Sequence, residues 1–275
     1  MGHRGFARGI WIGFALLAAV SFACLGRSDA ASTEDPLPDL SGRWVTVQRL
    51  FTIAQLPFLG EVTLRTTIGL FSEAIQSGSR LTLQDAYCFT DIDASIGLFV
   101  TDISDATMRS IRPDLRTAAL RVEEGRVLFE HGWHTEVRGA VLDDPVHDEL
   151  PDDRSDPQVV DLEGDGRIGF TIPAKIVGLF GGDTYVVQRF RYRLDGELVD
   201  PDTILGTVEW STEQVILWAT DALLMTPYTQ RVDPDPTVHR FAMWRIDATW
   251  TCESIRERVA PLLELLDEVD LSGSP

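Results

Sequence analysis

Downstream of residue 40, apolar and polar residues alternate with period two, the spacing at which the side chains of an extended strand share a face. Residues 43–48 (RWVTVQ) predict a first strand, and in 61–68 Val62, Leu64 and Ile68 fall on one side. Residues 76–79 (QSGS) read as a hairpin turn leading into a strand at 80–83. Further on, 184–194 predicts a strand followed by a turn at Asp195-Gly196. Residues 204–210 and 214–220 predict two strands about a short turn at 211–213, and 239–250 predicts a long final strand. Short alternating runs punctuated by Gly, Asp and Ser predict an all-β fold, an antiparallel barrel or a barrel-like sandwich.

Two segments break the period. Residues 104–115 predict a short helix limited by Pro113. Over 252–270, Ile255, Val259, Leu262, Leu263, Leu266 and Val269 recur at three and four, predicting an amphipathic C-terminal helix kinked or restarted at Pro261. Its expected task is to cover a side or end of the β fold; the alternative is docking a partner. The Asp- and Pro-rich stretch 143–157 reads as a surface loop inside a single β domain spanning 40–275.

Residues 1–23 read as an export signal. Arg4 and Arg8 stand with no acid, and the apolar run 10–25 is short for a membrane span. Two processing routes fit. Cleavage after Ala30 would start the chain at Ala31. Alternatively Cys24 is lipidated, because Ser21-Phe22-Ala23-Cys24 resembles a bacterial lipobox with a small residue before the cysteine. Residues 24–39 then form a flexible tether, and the protein is expected to be exported to the cell envelope (outer membrane or periplasm), held to a membrane by lipid. Cys88 and Cys252 remain, and in an oxidising compartment they are expected to pair.

The formal net charge is −19, and losing residues 1–23 removes two of the 24 basic residues and none of the 43 acids, leaving −21. Such a field repels nucleic acid and anionic membrane surfaces and attracts divalent cations.

Three constellations carry candidate chemistry. Asp161-Leu162-Glu163-Gly164-Asp165-Gly166-Arg167 resembles a D-x-D-x-D-G calcium loop: Asp161, Glu163 and Asp165 alternate, and the Arg167 carbonyl is a further oxygen. The twelfth position, where an EF-hand has its bidentate Glu, is Ile172, so a structural Ca²⁺ here would need ligands from elsewhere; the alternative is a polar turn without metal. His131 and His134 would share a face on a helix, but Val127-Leu128-Phe129 and Gly132 predict a strand with the two on opposite faces. A zinc site would then need His147 or His239 as well. Arg189, Arg191 and Arg193 share one face of a strand, and the acidic excess predicts that they point outward to paired acids. No nucleophile elbow, Walker loop or HExxH is present.

Gly42-Arg43-Trp44 resembles the G-x-W signature that opens lipocalin and related calycin barrels. The resemblance implies that Trp44 plugs a closed end and that an Arg of the last strand, here Arg245, covers it. It also implies a small apolar or amphipathic ligand in the mouth, with Tyr185, Tyr192, Trp210 and Trp218 as candidate lining residues. The combination of export signal, acidic Gly loop and late Thr251-Cys252 is similar to uncharacterised surface lipoproteins of deltaproteobacterial type. The expectation is a non-enzymatic binding module; a structural or interaction protein of the envelope is the alternative, and a hydrolase the lesser one.

Overall fold

The computed structural model describes residues 37–57, 59–112 and 114–268. The expected export signal, Cys24 and most of the tether lie outside these residues.

Eleven strands and two α-helices follow one another. The strands are β1 (Gly42–Leu56), β2 (Gly60–Ser77), β3 (Arg80–Ala94), β4 (Phe99–Thr101), β5 (Asp114–Glu123), β6 (Arg126–Arg138), β7 (Phe170–Ile176), β8 (Phe180–Asp200), β9 (Thr203–Ala219), β10 (Thr229–Val232) and β11 (Arg240–Arg245). Helix α1 (Asp105–Ser110) lies between β4 and β5, and α2 (Cys252–Glu268) ends the described chain. Every strand pairing is antiparallel.

The long strands run up and down in the order β1–β2–β3–β5–β6–β8–β9–β11, and β11 pairs back onto β1, so the sheet closes into a barrel-like ring. At one end β4 and β7 bridge β3 to β8, and β10 extends the edge of β1 beyond β11. Closure removes the free sheet edges that invite pairing with other chains.

The register separates two ends. At the closed end Trp44 is fully buried, and its indole N–H donates to the Leu40 carbonyl at 2.9 Å. Arg245 of β11 lies 4.6 Å from the Trp44 ring centroid and donates to the carbonyls of Ser41 and Asp39. The loops after β1, β3, β7 and β9 gather at the opposite, open end.

Strand β1 is buried without interruption from Trp44 to Leu50, although its sequence alternates. Trp44 and Leu50 face the ring interior, while Val45 and Val47 face outward beneath Ile255, Val259 and Leu266 of α2. The helix thus covers the side of the ring. A disulfide joins Cys88 of β3 to Cys252, the first residue of α2.

Several expected boundaries shift for identifiable reasons. Residues 211–213 are not a turn but the middle of β9, where Ser211 pairs with Arg191 and Glu213 with Arg189. Their polarity reflects a polar patch inside and ion pairs outside. Asp195-Gly196 likewise lies within β8, which runs on to Asp200. Gly196 faces Gly206 across the ladder. A Cβ at Gly196 would meet the Phe241 ring at 2.8 Å, and one at Gly206 would come within 2.5 Å of it, so these glycines make room for Phe241 rather than for a bend. The last strand ends at Arg245, because Asp247 accepts the Thr249 N–H at 2.7 Å and turns the chain toward α2. Helix α1 is shorter than the predicted 104–115; Ser104 caps it by accepting the Thr107 N–H.

Candidate functional site

A cavity of about 190 Å³ opens between the strands at the open end. Its apolar wall includes Leu50, Leu64, Ile68, Phe99, Phe190 and Trp210. Threonine, glutamine and arginine side chains interrupt that wall, notably Thr90, Thr212, Gln188, Gln214 and Arg138. A room this size suits a ligand of roughly twelve to twenty non-hydrogen atoms. Leu223 and Leu224, on a short 3₁₀ turn between β9 and β10, complete the rim.

Beneath this cavity lies a layer of charged and aromatic side chains on the inner face. Asp85 and Arg116, on adjacent strands β3 and β5, form an ion pair with side chains 5% and 1% exposed. Burial works against the charge of Arg116, but Asp85, together with Tyr192 and Tyr87, outweighs it and holds the guanidinium above its ordinary pKa. On β6, Glu136 accepts from the Tyr87 hydroxyl at 2.5 Å and from Arg138 at 3.0 Å. Burial first, and then Glu136, raises the Tyr87 pKa, so this phenol stays protonated. Arg138 also donates to Gln188 and lies within 6 Å of the rings of Tyr87, Phe170 and Phe190.

His131 and His134 both belong to this layer, against the expectation of opposite faces. The β6–β8 register shifts between them, and the bulge at Gly132-Trp133 restores both imidazoles to the inside. His131 stacks on Tyr192 at 5.7 Å and His134 meets the same ring edge-on at 5.5 Å. Trp133 is pushed outward, where Arg191 and Arg193 lie over its ring. Arg189 pairs with Glu213 and Arg193 with Glu209, so the arginine stripe faces outward, as expected.

Burial, then the charge of Arg116, lowers the His131 pKa to about 2. An unfolded histidine titrates near 6.5. Below that value unfolding takes up a proton that the folded state refuses, so stability falls with pH between about 6.5 and 2. Between pH 6 and 5 the wild type should lose roughly 1 kcal/mol more stability than His131→Asn, read from urea unfolding at the two pH values. Equal losses would show that His131 already binds its proton in the folded chain.

Not all of the inner polar atoms find partners. Both Nη atoms of Arg116, Nε of Arg138, Oδ1 of Asp85, Nδ1 of His131, Oγ1 of Thr212 and the side-chain amide of Gln48 are buried with no hydrogen bond among the described residues.

The other sequence candidates are dispersed. Trp210 lines the cavity and Tyr192 lies in the layer below. Tyr185 and Trp218 do not line it: Tyr185 is out of phase with the inward Val186 and Tyr192, an extra residue at Leu217 of β9 turns Trp218 out, and the two rings stack at 4.9 Å. His239 is bound structurally. Its Nε2 donates to the Asp233 carbonyl, leaving Nδ1 to accept from the Phe51 N–H and the Trp210 indole. His147 is exposed and pairs with Asp144. Around Asp161, the two carboxylate oxygens accept the N–H groups of Gly164, Asp165 and Gly166; Asp165 accepts from Arg167, and Glu163 reaches the Thr171 N–H. The Arg167 guanidinium turns away to Asp183 and Tyr185. Asp161 thus has both oxygens committed to the backbone, while Glu163 Oε2 is buried with no hydrogen bond among the described residues. Among the described residues no group of three or more His, Cys, Asp or Glu side chains is arranged to hold a metal ion, and no helix is long and apolar enough to cross a membrane.

Sequence reasoning missed Asp85, Arg116 and Arg138 as interior groups. The signal was present: Arg116 is in phase with Ala118 and Leu120, and Asp85 with Leu81 and Leu83, all four buried and apolar.

No family model, curated protein or solved structure matches this chain.

Proposed function

We propose that the protein is an exported, lipid-anchored binding module that takes a small amphipathic molecule into the open end of a lipocalin-like barrel. The observation that carries this reading is the cavity itself: a largely apolar room, bounded below by a polar layer and open above. The closed end, where Trp44 lies under Arg245, supports the calycin likeness. The Cys88–Cys252 bond supports passage through an oxidising compartment. The outer face of the ring carries ion pairs such as Arg193–Glu209 and Arg65–Asp93, which suits water rather than lipid around the strands.

The test is a titration with N-phenyl-1-naphthylamine, an uncharged probe that fluoresces in apolar surroundings. Saturable binding of one probe per chain is expected, together with energy transfer from Trp210. Ala174→Trp, which fills the cavity from β7, should weaken binding at least about tenfold while leaving the unfolding midpoint within a few degrees. Binding that is unsaturable, or indifferent to Ala174→Trp, would turn the reading toward the side-chain-filled interaction protein.

A further inference from the structure

We propose that the loops around the open end form an apolar crown that docks on a lipid bilayer whose headgroups carry no net charge. The crown is independent of what the cavity holds.

Charge is missing from one end of the ring. Charged residues make up 24% of the chain, yet residues 56–60, 95–100, 176–182 and 222–230 contain none. These stretches are the loops after β1, β3, β7 and β9, with the strand ends beside them. The turns at the closed end are charged: Arg80 follows the β2–β3 turn, Glu124 lies in the β5–β6 turn, and Asp200 and Asp202 flank the β8–β9 turn. What the open-end loops present is apolar. Leu98 is 52% exposed, Leu179 66% and Leu223 46%, and Val100, Val177 and Met225 are exposed as well. The Val177 N–H donates to the Leu98 carbonyl at 2.8 Å, which joins two of the loops into one surface. Single exposed apolar side chains are ordinary, but a group drawn from several uncharged loops marks an interaction surface.

The backbone of the crown selects lipid over a protein partner. The N–H of Leu179 donates to Ile176, that of Phe99 to Ile96, that of Leu224 to Asp221 and that of Thr226 to Leu223, at 3.0–3.4 Å. The Asp221 carboxylate accepts the Leu223 N–H at 2.9 Å. Turns closed on themselves in this way offer apolar side chains and few hydrogen bonds. Protein partners draw about one hydrogen bond from every 100–200 Å² of interface. Hydrocarbon instead requires that polar backbone groups be bonded internally. Charge returns just behind the crown, where Glu61 pairs with Arg231 and Asp183 with Arg167 on the water-facing wall. Trp218 is exposed on that same wall, opposite Tyr185 across the β8–β9 ladder. An indole there suits the boundary between headgroups and hydrocarbon.

The headgroup charge follows from the protein's own. The net charge of −19 is repelled by an anionic surface, and the crown supplies no cation to offset it. Lys175, behind Val177, shares a shallow groove with Asp102 and Asp183.

The test uses the full chain carrying Cys24→Ser, so that no acyl group can hold it to lipid. The environment-sensitive fluorophore nitrobenzoxadiazole is attached through Leu179→Cys at the crown or, in a second protein, through Ser79→Cys at the closed end. Vesicles of phosphatidylcholine should raise the fluorescence at 179 several-fold and leave that at 79 unchanged. Replacing part of the lipid with phosphatidylglycerol should not strengthen binding. The double variant Leu98→Glu, Val177→Glu alters exposed positions only, so it should keep its unfolding midpoint. Its co-flotation with phosphatidylcholine vesicles should weaken at least about tenfold, because a carboxylate resists entering the bilayer. No response at 179, an equal response at 79, or co-flotation indifferent to the double variant overturns the crown as a lipid contact. Tighter binding to the phosphatidylglycerol vesicles overturns the uncharged headgroup. Fluorescence that rises at 179 without vesicles, in step with dimer formation, makes the crown a face between two copies of the chain and overturns the proposal.

Discussion

Asp85→Ala should lower the unfolding free energy by about 3–5 kcal/mol, among the largest effects of any single substitution in the ring. Asp85 and Arg116 are both almost completely buried, and among the described residues Asp85 is the only carboxylate bonded to that guanidinium. Removing it leaves a buried cation, with its Nε joining two Nη groups that already lack partners. The loss measures the penalty of the stranded charge rather than the worth of the pair. The double variant Asp85→Ala, Arg116→Met separates the two. It should recover most of the stability, because an apolar side chain at 116 extends the surface formed by Leu83, Ala118 and Leu120. Urea unfolding of the three proteins closes the cycle. A single-variant loss under about 1 kcal/mol would mean that Arg116 reaches water through the layer.

Breaking the Cys88–Cys252 bond should cost about 2–5 kcal/mol. The bond spans 164 residues, so in the chain-entropy view it removes much of the freedom of the unfolded chain. It also pins the first turn of α2 to β3. Beyond it the helix is held by Ile255, Val259 and Leu266 on the outer wall, and by Arg256, which pairs with Asp91 and Asp105. The double variant Cys88→Ala, Cys252→Ala should therefore show two changes: a lower urea midpoint, and faster tryptic cleavage after Arg256 and Arg258. A lower midpoint with unchanged cleavage would place the whole effect in the unfolded chain. Unchanged values of both would show that the wall contacts alone seat the helix.

Period-two alternation made the strands legible, because a ring wall has an inner and an outer face along its whole length. The helix was legible because its apolar positions recur at three and four and meet Val45 and Val47. Alternation could not say which face lay inside where both carry polar residues. In β9, Thr212 and Gln214 face the cavity while Glu209 and Glu213 pair outside, so the strand's middle looks like a turn. Nor does alternation register a bulge. The extra residue at Gly132-Trp133 reverses the phase of β6, which brings His134 beside His131 and sends Trp133 out. The extra residue at Leu217 of β9 does the same to Trp218, whereas Tyr185 is simply out of phase with the inward Val186 and Tyr192. The inner polar layer was the hardest part to read. A charged side chain in an acidic protein is ordinarily a surface group, and only its phase with Leu81, Leu83 or Leu120 marks it as enclosed.

Residues 37–44 tie down one end of the ring: Leu37 and Leu40 pack into the core there, and Arg245 covers Trp44. The opening lies at the other end of β1, a strand of fifteen residues, roughly 50 Å long. What seals the ring and what shapes its mouth are thus separate neighbourhoods, so a change at the mouth can alter access without loosening the seal.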